Sequence, residues 1–178
     1  MVRAVIDTNV LLVANGRHDD VSPDCVDACV DGLRAMQRSG IVVIDDGFRI
    51  LGEYQHKTRL KPPKGVGDVF LKWLLREATG GRRVELVSLT EQAEYHYAEF
   101  PDPGLESKFD ASDRMFAAVA HAHAEKPEIW QAADCKWLDW WQALRAHGVM
   151  VKFLCPNDAR TFYQRKFPKH PEPTLPDA

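Results

Sequence analysis

Four carboxylates stand where a charge is costly unless it is used. Asp7 directly follows the apolar run Val2-Arg3-Ala4-Val5-Ile6, with Thr8 and Asn9 next. Asp134 follows Trp130-Gln131-Ala132-Ala133 in the same way. Glu53 falls among Ile50, Leu51 and Tyr54 in a helical pattern, and a carboxylate on the inward side of a helix must be paired with something. Asp110 and Asp113 are three apart and share a helical face. Asp113 is aligned with Ala117 and Ala120, small residues that let a helix approach a sheet closely. Carboxylates gathered in one place repel one another until some protonate or a divalent cation neutralises them. Oxygen-only ligands select hard cations, Mg²⁺ or Mn²⁺ over Zn²⁺. Such a site, in a chain with no P-loop and no glycine-rich dinucleotide motif, fits metal-assisted hydrolysis of a phosphodiester.

The elements that must position these residues read as alternating strands and helices. Apolar runs predict strands over 2–6, 41–44, 84–89, 129–133 and 149–154, the last ended by Pro156. Ser22 before Pro23 is a helix start, and Gly40 a stop. Further helices are expected over 48–57, around Val69 to Leu74 before Gly80-Gly81, from the cap Thr90 to about 100, over 110–125 and over 138–147. Strands separated by helices make β-α-β units with a mostly parallel sheet. Such sheets place function at the carboxyl ends of their strands, where Asp7, Asp134 and the pair Asp45-Asp46 fall. Asp45 and Asp46 are expected to cap the following helix, and Asp139 competes with Asp134 for the fourth acidic position.

The opening and three later segments carry a resemblance. Val5-Ile6-Asp7-Thr8-Asn9-Val10-Leu11-Leu12, Ile50-Leu51-Gly52-Glu53-Tyr54, Asp113-Arg114-Met115-Phe116-Ala117-Ala118-Val119-Ala120 and Ala132-Ala133-Asp134 resemble, in order and spacing, the four acidic motifs of PIN-domain nucleases. The resemblance spans about residues 1–156. It implies a three-layer α/β/α PIN-like fold around a central, mostly parallel five-stranded sheet. It implies Mg²⁺- or Mn²⁺-dependent cleavage of single-stranded RNA, with Asp7, Glu53, Asp113 and Asp134 holding one or two ions. Thr8 or Asn9 would orient Asp7, and Asp110 would be either the third acid itself or an auxiliary one. The water would attack to leave a 5′-phosphate and a 3′-hydroxyl. It also implies an antitoxin partner, as many relatives are toxins of toxin–antitoxin pairs, and a homodimer.

Basic residues supply the expected RNA contacts. Lys57, Arg59, Lys61 and Lys64 lie in a stretch without acids directly after the Glu53 helix, beside the breaker-rich loop Lys61-Pro62-Pro63-Lys64-Gly65. They are the preferred phosphate contacts, with Arg114 beside Asp113. Trp137, Trp140 and Trp141 are expected to pack, not to stack on bases, and His121 and His123 point apart on their helix.

Composition bounds the rest. The 178 residues suit one domain over 1–156, with a C-terminal extension over 157–178 whose four prolines from Pro168 onward make it extended or partly mobile. A hydrophobic fraction of 45% is too high for a disordered chain, and no apolar run is long enough for a membrane span. Cys25, Cys29, Cys135 and Cys155 are expected to be reduced thiols in a cytoplasmic protein. A net charge of -3 argues against nucleic-acid binding by bulk positive charge, but four of those negative charges in one pocket leave the rest of the chain slightly positive. RNA binding is therefore expected to be local and modest. A phosphatase of the haloacid-dehalogenase type also begins with a strand and an aspartate, but needs a second aspartate where Asn9 stands. A catalytically inactive RNA- or protein-binding module on the same fold is the remaining alternative.

Overall fold

A computed structural model describes residues 1–176. Five parallel strands form its core: β1 (Arg3–Ile6), β2 (Ile41–Asp45), β3 (Val84–Val87), and, after a small hairpin β4 (Glu91–Ala93) and β5 (His96–Tyr97), β6 (Glu128–Gln131) and β7 (Val151–Phe153). The order is β3-β2-β1-β6-β7. Register places Ala4 opposite Val42 and Val5 opposite Ile129, so apolar residues of β1 are buried on both faces by neighbours and helices. The α/β class and the five-stranded parallel sheet are those expected from the sequence.

The helices follow from local chemistry. α1 (Thr8–Ala14) is capped by Asp7, whose carboxylate accepts from the Asn9 backbone N–H at 2.8 Å. α2 (Pro23–Ser39) starts at the Ser22 cap, with Pro23 where no N–H is needed, and stops at Gly40. α3 (Arg49–Lys57) is capped by Asp45, which accepts from the N–H groups of Arg49 and Ile50 at 2.9 and 3.0 Å. Asp46 instead accepts from the Ser88 hydroxyl. α4 (Val66–Ala78) begins with Gly67 against the Leu11 carbonyl, where a Cβ would stand 2.3 Å from that oxygen. Glycine is what lets α4 lie against α1 there. A short α5 (Pro103–Glu106) precedes α6 (Arg114–Ala122), and α7 (Trp141–Ala146) connects β6 to β7. Right-handed crossovers put α1, α2 and α4 together on one face. They put α6 and α7 on the other, with Ala117, Ala118 and Ala120 buried against the sheet.

Three expectations are corrected. The helix expected from Thr90 to about 100 is the β4–β5 hairpin, turned at Tyr95 with φ 59°. Its residues have helical propensity, but Tyr97 is buried and Glu91 is tied to Arg49 at 3.0 Å, so tertiary contacts override propensity. Secondly, Pro156 does end the last strand, but it also opens α8 (Pro156–Lys166), with Ala159 and Tyr163 buried. Beyond 166 the described residues make a turn at 168–170 and form no further helix or strand, and the Thr174 carbonyl accepts from Trp141 Nε1 at 3.0 Å. Thirdly, Cys25 and Cys155 form a disulfide, while Cys29 and Cys135 are free and buried. A separation of 130 residues hid the meeting of the first turn of α2 with the start of α8. The Asp158 carboxylate strengthens the same corner, accepting from the Ser22 N–H and hydroxyl at 2.6 and 2.8 Å. Trp137, Trp140 and Trp141 are packed as expected, with Phe109 stacked on Trp140 at 3.9 Å between ring centres. Among the described residues no helix is long and apolar enough to cross a membrane.

Asp68, buried on α4, holds the basic loop. Its carboxylate accepts from the Arg59 and Lys64 N–H groups at 2.9 Å, from Gly65 N–H at 3.3 Å and from the Asn15 amide at 2.8 Å. Burial alone would raise its pKa, but these donors together hold it below the ordinary range. A depressed carboxylate stabilises the fold above its unfolded pKa, and that stability is lost as pH falls through the folded value. Asp68→Asn is expected to cost about 2 kcal/mol at pH 7, narrowing below about pH 4, as measured by urea unfolding followed by tryptophan fluorescence.

Candidate active site

The carboxyl edge of the sheet has its switch point between β1 and β6, where the chain's crossovers change face. Asp7 ends β1 there; its N–H extends the ladder to the Trp130 carbonyl at 2.9 Å. Asp134 stands three residues beyond the end of β6 and caps a 3₁₀ turn over Cys135–Asp139, accepting from the Lys136 N–H at 3.1 Å. Glu53 reaches the same edge from α3, and Asp113 from a 3₁₀ turn (Ala111–Asp113) leading into α6.

Each acid is set by a neighbour. Tyr54, fully buried, donates its hydroxyl to the Ile6 carbonyl, which pins α3 beneath the residue before Asp7. Thr8 donates its hydroxyl to Glu53 Oε1 at 2.8 Å. Asn9 presents its side-chain oxygen to the Ala133 N–H at 3.0 Å, tying the start of α1 to the backbone before Asp134. The sequence suggested that Thr8 or Asn9 orients Asp7. In the structure only the Asn9 backbone bonds Asp7, and the two side chains position Glu53 and the Asp134 strand end instead.

Electrostatics bind the four acids into one site. Burial, then Asp113, then Asp134 and Glu53 push the Asp7 pKa well above the ordinary range, against the opposing Asn9 hydrogen bond. Burial, Asp134, Asp110 and Glu53 push Asp113 up to about 7. Asp134 is raised by burial, opposed by the N–H and ammonium of Lys136. The donor set is oxygen only and short of positive charge, which suits a hard divalent cation. Among the described residues, the three potential ligands whose donor atoms all lie within 4.8 Å of one another are Cys25, Cys29 and Cys155 at the disulfide corner; no three of the carboxylates are set that closely.

Other expected site residues are distributed unevenly. Asp110 lies at the rim, paired with the Lys136 ammonium. Asp139 points to α8 and accepts from the Tyr163 hydroxyl at 2.6 Å. Lys57 shares a groove with Glu53. Arg59 and Lys61 are exposed, and Lys64 lines a separate hollow with Arg34 and Gln37. Arg114 is engaged within the fold, donating to the Tyr95 carbonyl at 3.3 Å and the Phe109 carbonyl at 3.2 Å, and meeting His96 Nε2 at 3.1 Å. Lys136, a cation set against Asp110, Asp113 and Asp134, went unnoticed in the sequence; its place two residues after Asp134 was the available signal.

The folded protein holds the Asp113 proton more tightly than the unfolded chain, so metal-free stability falls as pH climbs from about 4 to about 7. Asp113→Asn is expected to be more stable than the parent at pH 8 without divalent ions, on the order of 2 kcal/mol, and equal to it at pH 4. Millimolar Mn²⁺ should raise the melting temperature of the parent and not of the variant; calorimetry across pH checks both.

No family model matches the chain, and no curated protein matches it in sequence. Among solved structures it is similar to VapBC2 from Rickettsia felis, crystallised bound to a DNA fragment from its promoter. That match has 16% identity, covers 85% of this chain and 98% of the other, and has a TM-score of 0.44.

Proposed function

We propose that the protein is a metal-dependent endoribonuclease that hydrolyses phosphodiester bonds of single-stranded RNA. The observation that carries this reading is the convergence of Asp7, Glu53, Asp113 and Asp134, from four different elements, on the switch point of a parallel sheet. The oxygen donors fit Mg²⁺ or Mn²⁺, which when bound supplies an activated water and neutralises charge on the phosphate. The choice of RNA over other phosphodiesters comes from the motif resemblance in the sequence, as do the antitoxin partner and the homodimer.

The chain's own residues then have distinct tasks. Buried Asp7 and half-buried Asp113 and Asp134 provide the acidic floor, and Thr8 holds Glu53 at its side. Lys136 balances the acidic ring through Asp110 and is placed to follow the charge of an arriving phosphate. Lys57, at the groove beside Glu53, is the basic residue best placed for the backbone of a bound strand; Arg59 and Lys61 extend the same exposed stretch.

Cleavage of labelled single-stranded RNA is expected with Mg²⁺ or Mn²⁺ and not with EDTA, giving 5′-phosphate and 3′-hydroxyl ends. Asp7→Asn keeps a residue that caps helices well, so the variant should fold. It should lose at least about a hundredfold in rate. Equal cleavage by a folded Asp7→Asn protein contradicts the mechanism. For the antitoxin, co-expression with a small DNA-binding protein encoded beside the gene should suppress cleavage.

A further inference from the structure

Beside the carboxylate ring lies an open groove of about 490 Å³ that shares Glu53 with it. Tyr97 and Met115, both buried, give it an apolar floor. Tyr95, 44% exposed, stands at its wall, and Lys57 and His56 line the side toward α3. Glu94 is a carboxylate without an ion-pair partner among the described residues, whereas Glu91 is engaged by Arg49.

The hairpin that makes this wall is held in place more firmly than an exposed loop requires. Tyr95 sits at φ 59°, a conformation costly for an aromatic residue. Its N–H donates to Glu91 Oε1 at 3.2 Å, and its carbonyl accepts from Arg114 at 3.3 Å. Arg114 directly follows Asp113 in the chain, so the element that delivers the third acid also fixes Tyr95. An aromatic face, an apolar floor, a cation on one side and the free carboxylate of Glu94 on the other describe a receptor for one nucleobase of a strand whose phosphate lies at the acids. Building on the proposed RNA cleavage, we propose that this groove is a nucleobase subsite in which Tyr95 stacks on the base next to the scissile phosphate. Glu94 accepts hydrogen bonds there from bases that carry an exocyclic amino group, so uracil is disfavoured.

The test uses the full chain and a short fluorescent single-stranded RNA, read both as binding by anisotropy and as KM and kcat in Mn²⁺. Tyr95 is exposed, so Tyr95→Ala should fold; it is expected to raise KM about tenfold with a smaller change in kcat, while Tyr95→Phe restores the parent value. Scanning an abasic nucleotide along the strand should find one position that weakens the parent to the same degree and adds nothing to Tyr95→Ala. Glu94→Gln should narrow the gap between uracil and cytosine at that position. A KM for Tyr95→Ala within twofold of the parent, in a protein that cleaves, overturns the subsite and leaves the nuclease reading intact. Binding without cleavage, weakened by Tyr95→Ala, supports the subsite and overturns the nuclease reading. Absence of both binding and cleavage in the parent overturns the two together.

Discussion

Like charges held together in a partly buried place are the constraint on which this structure turns. Four carboxylates meet at one edge of the sheet, and each raises the cost of ionising the next. A fold relaxes such a cluster by turning side chains outward unless other interactions prevent it. Here they do: the Asn9 N–H on Asp7, the Thr8 hydroxyl on Glu53, the Lys136 N–H on Asp134 and the Tyr54 hydroxyl on Ile6 each fix one side. Two of these bonds, Thr8 to Glu53 and Tyr54 to Ile6, cross between elements and tie β1 and α1 to α3.

The rest of the scaffold serves that edge. Alanines on α6 bring Asp113 close to the sheet, and the glycine of α4 lets that helix press on α1 behind the site. Asp68 fixes the backbone of the basic loop through three hydrogen bonds, while the loop's basic side chains stay in solvent. The rigid part carries the acids, and the adaptable part carries the cations. That division suits a ligand with a fixed phosphate and a variable path on either side. The slight acidity of the chain is thus concentrated where a cation belongs, and it does not describe the surface a strand would meet.

Much of this was legible in the residues because it depends on neighbours in sequence. An apolar run ending in Asp7, a Ser-Pro helix start and alanines at helical spacing each encode their geometry locally, and the parallel sheet then follows from the alternation of elements. What escaped depends on residues far apart. The 91–97 segment has helical propensity, and only its contacts with Arg49 and Arg114 make it a hairpin. Arg114 looked like a free cation beside an acid, but its guanidinium is committed to carbonyls that no local pattern reveals. The same holds for the Cys25–Cys155 disulfide and for α8, whose buried face is provided by the turn after Asp134. Thr8 and Asn9 were recognised as positioning residues, yet their partners lay 45 and 124 residues away.

The central claim is that the acidic ring is a divalent-metal site. Anomalous diffraction from crystals soaked in Mn²⁺ tests it most directly. The expected result is one or two manganese peaks bounded by Asp7, Glu53, Asp113 and Asp134, lost in the Asp113→Asn protein. Manganese bound only elsewhere, or a peak that persists unchanged in that variant, would contradict it.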